Sequence, residues 1–185
     1  MSREDVLYCV VCGAPPAAEA GRLVELAKLA GWDVCVVATP LATRFVDLDE
    51  LAKLSGRPVR HDYKRPGEPD LFPRASALVV APATFNTVNK LAAGIADTLA
   101  LSLLCEYLAL GTPIVVAPNV GPALARHPQY PHSVRKLRSW GARVLEVRST
   151  PAETGWMLPW KRIADELPQP AGGRGGRDAD GPDRV

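Results

Sequence analysis

Thr84, Asn86 and Thr87 place two hydroxyls and a carboxamide within four consecutive positions. They fall where the apolar run Ala77 to Val80 gives way to an Ala- and Leu-rich helical pattern. Hydroxyls and amides can each donate and accept hydrogen bonds. A strand that ends in such a turn and feeds a helix exposes backbone N–H groups, and the helix N-terminus adds partial positive charge. This chemistry suits a polar planar ring or a sugar-like chain. Thr39 and Thr43 lie in a second polar turn with Phe45 just beyond it. His61 titrates near neutrality and suits proton transfer, and Glu68 is a carboxylate that could act as a base if well placed. Cys9 and Cys12 form a C-x-x-C. Their setting predicts a strand, where positions i and i+3 point to opposite faces, so buried structural thiols are expected rather than a metal or redox pair.

These residues need elements to hold them. Val6 to Cys12 and Asp33 to Ala38 are apolar runs that predict buried strands. Ala77 to Ala81, Pro113 to Ala117 and Ala142 to Val147 predict three more, and Pro58 to Tyr63 a short one. Helical patterns span Ala17 to Gly31, Leu48 to Leu54 with a stop at Gly56, Thr87 to Leu110 with a break or close contact at Gly94, Ser133 to Trp140 and Pro159 to Leu167. Lys64 to Pro73 holds three prolines and reads as a loop. Apolar strands alternating with helices imply a parallel sheet covered on both faces. Ligands of such sheets sit beyond the carboxyl ends of the strands, so the turns beginning at Gly13, Thr39, Pro82 and Pro118 should converge on one edge.

Composition narrows the function further. The 185 residues predict one domain over residues 1–168, with a Gly-, Pro-, Arg- and Asp-rich tail over 169–185 expected to be disordered. A net charge of +2 gives no case for a nucleic-acid partner. No apolar run approaches the roughly 18 residues of a membrane span, and the N-terminus lacks a signal-peptide shape, so a cytoplasmic location is expected.

Pro82-Ala-Thr-Phe-Asn-Thr87, with Lys90, Gly94 and Ala96-Asp97, resembles the Pro-Ala-Ser-Ala-Asn-Thr motif of the flavin-containing cysteine decarboxylases. That family includes phosphopantothenoylcysteine decarboxylase and the lantibiotic-peptide decarboxylases, and the likeness covers roughly residues 5 to 147. It implies an α/β, three-layer Rossmann-like (flavodoxin-like) fold with FMN as cofactor and a small-molecule or peptide substrate. It also implies a homo-oligomer, a trimer or a multiple of one, with flavin between subunits. The apolar segment carrying Phe85, Leu101, Leu104 and Tyr107 would supply the contact. The family chemistry takes hydride equivalents from a cysteine side chain, after which the thioaldehyde loses carbon dioxide. Prenyl transfer on the same fold and flavin binding without decarboxylation are the alternatives.

By this resemblance Asn86 holds the flavin, or else it caps the helix. Ala83, Thr84 and Thr87 line the cofactor. Gly13 belongs to the phosphate turn, although Pro15 and Pro16 lack N–H groups there, leaving Ala17 and Ala18 to serve. Thr39 binds the ribityl or phosphate part with Thr43 beside it and Phe45 packs on the ring, or the segment is a Thr-rich turn with a core Phe. Asp97 needs a partner, through a salt bridge or a ligand, and Lys90 covers a phosphate or faces solvent. The chain also departs from the family pattern. The catalytic His position falls on Glu68, leaving His61 as the nearest upstream histidine. The substrate-binding Asn position falls on Gly121, unless Asn119 replaces it by a register shift. Residues 148–168 hold no Cys for the flap of the coenzyme-A branch, so Trp156 and Trp160 form an apolar lid or merely pack.

Overall fold

The alternation of buried strands and amphipathic helices builds the expected α/β sandwich. In the computed structural model, which describes residues 5–69, 72–148, 150–152 and 155–170, five strands form one parallel sheet. They are β1 (Val6–Val11), β2 (Asp33–Ala38), β3 (Ala77–Ala83), β4 (Ile114–Pro118) and β5 (Arg143–Val144), in the order β2-β1-β3-β4-β5. Side chains alternate across β1. Tyr8, Val10 and Cys12 join one core with helices α3 (Phe85–Ala93), α4 (Leu99–Ala109) and α6 (Gln129–Ser139). Leu7, Cys9 and Val11 join the other with α1 (Gly21–Leu29), α2 (Leu48–Ser55) and α7 (Trp160–Asp165). The short α5 (Pro122–Ala125) and the hairpin β6 (Thr150–Ala152)–β7 (Gly155–Met157) complete the elements. Neither was expected from the sequence.

Several boundaries differ for local reasons. The helix expected from Ala17 begins instead as a 3-10 turn over Pro15–Glu19, because two successive prolines cannot donate. The long helix expected over 87–110 is two helices. Gly94, at φ 72°, closes α3 in the left-handed region. Thr98 then caps α4 by accepting from the Leu101 N–H at 3.3 Å. The strand expected over 58–63 shrinks to a single bridge between Arg60 and Val37, and the last strand to two residues.

The oligomer argument from sequence also changes. Leu101, Leu104 and Tyr107 are buried in the chain's own core, and Phe85 packs on His127 and Tyr130. None of the four is a free apolar surface. No helix among the described residues is long and apolar enough to cross a membrane. The expected disorder of the tail concerns residues of which 171–185 lie outside those described.

Candidate functional site

The strand order reverses direction between β1 and β3, and this switch point is where open parallel sheets bind ligands. Backbone hydrogen bonds join the four strand ends there. Thr39 N–H donates to Val11 O at 2.9 Å, Cys12 N–H to Pro82 O at 3.2 Å, and Asn119 N–H to Ala83 O at 2.8 Å. The peptide bond between Ala81 and Pro82 is cis. The turns after β1, β2, β3 and β4 therefore form one continuous edge, as the sequence predicted.

Gly13 belongs to this edge through close approach. A Cβ there would stand 2.7 Å from Leu41 Cγ and 3.0 Å from the Leu41 carbonyl carbon. In the following segment the Ala17 N–H is already engaged, donating to Ala14 O at 2.8 Å in a buried position, while Ala18 is exposed.

At β3 the helix cap is Thr84, not Asn86. Thr84 Oγ1 accepts from the Thr87 N–H at 3.3 Å, which satisfies one of the free donors of the first turn. Asn86 sits two positions further on, exposed, with its amide free of the capping task. Thr87 is buried, and its hydroxyl donates inward to Cys12 Sγ at 3.3 Å. Its expected contact with the cofactor is thereby replaced by a structural one. Ala83 is fully buried and offers backbone alone. Burial, the largest influence, raises the Cys12 thiol above its ordinary value against the hydrogen bonds from the Thr87 hydroxyl and the Thr84 backbone.

After β2, Thr39 is half-buried at the edge, and Thr43 Oγ1 donates to Pro40 O at 2.8 Å. Phe45 is 36% exposed, so it is not the core residue of a plain Thr-rich turn. Arg44, exposed in the same turn, was not singled out from sequence. Its guanidinium has no ion-pair partner among the described residues, and the only advance signal was a cation inside a Thr-rich turn. Asn119, half-buried after β4, shares the edge with Asn86. Gly121 caps α5 and is exposed.

His61 and Glu68 are placed differently. Arg60 pairs with the outer edge of β2, and from there the segment returns to the α4 side of the sheet, where Tyr63 Oη and Ser102 Oγ share a 2.5 Å hydrogen bond. His61 is exposed. Glu68 is exposed as well, and its carboxylate accepts from the Arg65 N–H at 2.9 Å. Asp97 lies in the connection between α3 and α4, not mid-helix, and pairs with Lys90. For Asp97 this is the salt-bridge alternative, and Lys90 is the partner that supplies it. Trp160 packs in the core at the start of α7, and the side chain of Trp156 lies outside the described ones.

The donor set fits a flavin nucleotide. The edge offers two carboxamides and two hydroxyl oxygens for polar ring and sugar atoms, an aromatic face at Phe45, and a free guanidinium for a phosphate. A five-stranded flavodoxin-like sheet with a polar edge at its switch point defines a nucleotide- or flavin-binding class of α/β protein. The chain belongs to the Flavoprotein family, which matches residues 1–171. It is 34% identical over 111 residues to a cysteine/cysteine sulfinic acid decarboxylase of an unknown prokaryotic organism, covering 57% of this chain and 30% of that protein. It is 36% identical over 152 residues to the coenzyme A biosynthesis bifunctional protein CoaBC of Mycobacterium bovis, covering 78% of this chain and 36% of that protein. The chain thus spans about a third of the length of these relatives. Among solved structures, the FMN-dependent cysteine decarboxylase SpaF superposes with a TM-score of 0.68 at 26% identity, over 82% of this chain and 87% of that one.

Proposed function

We propose that this flavoprotein binds FMN at the carboxyl edge of its sheet and acts on a cysteine-like substrate, free or at a peptide terminus. The observation that carries the reading is the start of α3. It is fixed at the switch point by the Thr84 cap and the Thr87–Cys12 hydrogen bond, and it presents Asn86 exposed. Asn86 and Thr84 would hold the ring, Thr39 and Arg44 the ribityl phosphate, and Phe45 would pack alongside. Bound FMN would supply a two-electron acceptor, leaving orientation, desolvation and electrostatics to the protein. Asn119 is the side chain available to orient a substrate carboxylate, because Gly121 has none to offer.

A homo-oligomer stays within this proposal on changed grounds. The α4 helix is apolar almost all round, with Leu103, Cys105 and Leu108 only partly buried and Ile95 and Leu110 exposed beside it. A helix apolar on every face is normally buried on every face.

One reading competes on a specific observation. His61 and Glu68 are both exposed, and the Glu68 carboxylate is engaged with the Arg65 N–H, which favours flavin binding without decarboxylation. Two measurements separate the cases. Purified protein is examined for flavin absorbance and titrated with FMN. The loaded protein is then incubated with cysteine and with a peptide ending in cysteine, and mass spectrometry follows loss of carbon dioxide and two hydrogens. Absence of FMN binding sinks the proposal. Binding without mass loss leaves the competing reading.

A further inference from the structure

Three buried or half-buried groups connect the two sides of the switch point. Thr87 Oγ1 lies 3.3 Å from Cys12 Sγ and donates to it. Thr87 Oγ1 and Thr84 Oγ1 are 3.0 Å apart, a pair in which either atom could donate. A hydroxyl has one proton and two acceptor positions. With the Thr87 proton directed at Cys12, the proton between the two threonines must come from Thr84. Thr84 Oγ1 also accepts from the Thr87 N–H at 3.3 Å. Its donor and one acceptor position are therefore engaged, and one lone pair is left toward the open edge.

We infer that Cys12 acts as a positioning residue which sets the direction of the hydrogen bonds in this chain, so that Thr84 meets the ligand only as an acceptor. The inference rests on the flavin reading above. An oxidised flavin ring carries a single N–H, at N3, and its other polar edge atoms accept. An acceptor-only Thr84 therefore pairs with that N–H and turns away the remaining edge. Removing the acceptor at position 12 frees the Thr87 proton for Thr84, and the Thr84 proton then points outward against the ring N–H.

The test measures FMN dissociation constants by fluorescence titration. Wild type is compared with Cys12→Val, Cys12→Ser, Thr84→Val and the Cys12→Val/Thr84→Val double variant, each checked for folding by circular dichroism. Cys12→Val should weaken binding about 2- to 10-fold, the range that one net hydrogen bond is worth. Cys12→Ser keeps an acceptor and should bind within about twofold of wild type. In the Thr84→Val background, Cys12→Val should add nothing, because its effect passes through Thr84. If Cys12→Val does not fold, Thr87→Val takes its place and should show the same loss and the same dependence on Thr84. Equal weakening by Val and Ser, or additive losses in the double variant, overturns the inference while leaving flavin binding intact. A wild-type protein that fails to bind FMN overturns both.

Discussion

Cys9 and Cys12 stand three residues apart at the end of β1 and enter opposite cores of the sandwich. The spacing that would serve a metal or a disulfide in a turn is, in a strand, a separation of faces. Both are free thiols, and burial is the largest influence on each, raising Cys9 to about 12 and Cys12 above its ordinary value.

Thiol reactivity follows from this placement. At pH 8 the native protein should react with iodoacetamide slowly, and first at Cys105, the only one of the four cysteines that is not buried. All four should react once the chain is unfolded in guanidinium. The same shift has a consequence at high pH. Cys9 and Cys35, each raised to about 12 from 9.0, hold protons in the folded state that the unfolded chain releases above pH 9. Their contribution to stability is full below pH 9 and is lost as pH rises toward 12. Urea midpoints measured between pH 8 and pH 11 should fall. Rapid labelling of Cys12 in the native state would contradict the buried geometry.

Gly13→Ala should destabilise the protein by about 1–3 kcal/mol, the usual cost of forcing an extra methyl into a packed site. The new Cβ meets Leu41 at both side chain and backbone. Shortening the side chain in Gly13→Ala/Leu41→Ala relieves only one of those contacts, so part of the loss should persist. Denaturant unfolding of the two variants checks this. An unaltered midpoint in Gly13→Ala would mean that the turns after β1 and β2 are not pressed together.

Much of this edge was legible in advance. Continuous apolar runs announced the parallel sheet, Gly13 and two prolines announced the turn after β1, and small polar residues after Ala38, Ala83 and Pro118 announced the others. The division of labour inside the turns was not legible. Asn86 and Thr84 are both good helix caps by type, and only backbone geometry assigns the task to Thr84. Thr87 reads as a ligand residue until its hydroxyl is seen to face Cys12, 75 positions away in the chain. Leu101, Leu104 and Tyr107 read as surface because a helix hydrophobic on all sides has no periodicity to show which side is the core.

Asn86→Asp should weaken FMN binding without unfolding the protein. The side chain is exposed and does not cap the helix, so the folded state loses little. A carboxylate at the second helical position even complements the helix dipole. What changes is donor capacity, since an ionised carboxylate only accepts. The expected loss is about 0.5–1.5 kcal/mol of binding free energy, and more if a ligand group is left buried and unpaired. Thermal unfolding of the unloaded protein should be nearly unaltered. An unchanged FMN dissociation constant would remove Asn86 from the site.

The FMN-loaded protein should show little or no turnover of 4′-phosphopantothenoylcysteine. Three features of the chain lead to this expectation. Glu68 occupies the position where the resembling family has its histidine, and its carboxylate is engaged with the Arg65 N–H in an exposed turn. Gly121 occupies the substrate-asparagine position and serves as the cap of α5, with no side chain for a carboxylate. Residues 148–168 contain no cysteine to return a proton to a product. Proton-transfer catalysis typically supplies about 10²–10⁴-fold, and a missing carboxylate contact removes orientation as well, so the losses compound. His61 could compensate only by reaching the flavin face from the exposed segment between Arg60 and Tyr63. Asn119 is better placed, because its backbone is bonded to Ala83 beside the start of α3. Comparison of cysteine, a peptide ending in cysteine and 4′-phosphopantothenoylcysteine by product mass should therefore rank the last lowest. Ordinary turnover of 4′-phosphopantothenoylcysteine would refute the expectation. His61→Ala would then show whether the acid–base role had moved along the chain, since loss of that turnover with FMN binding preserved would assign it to His61.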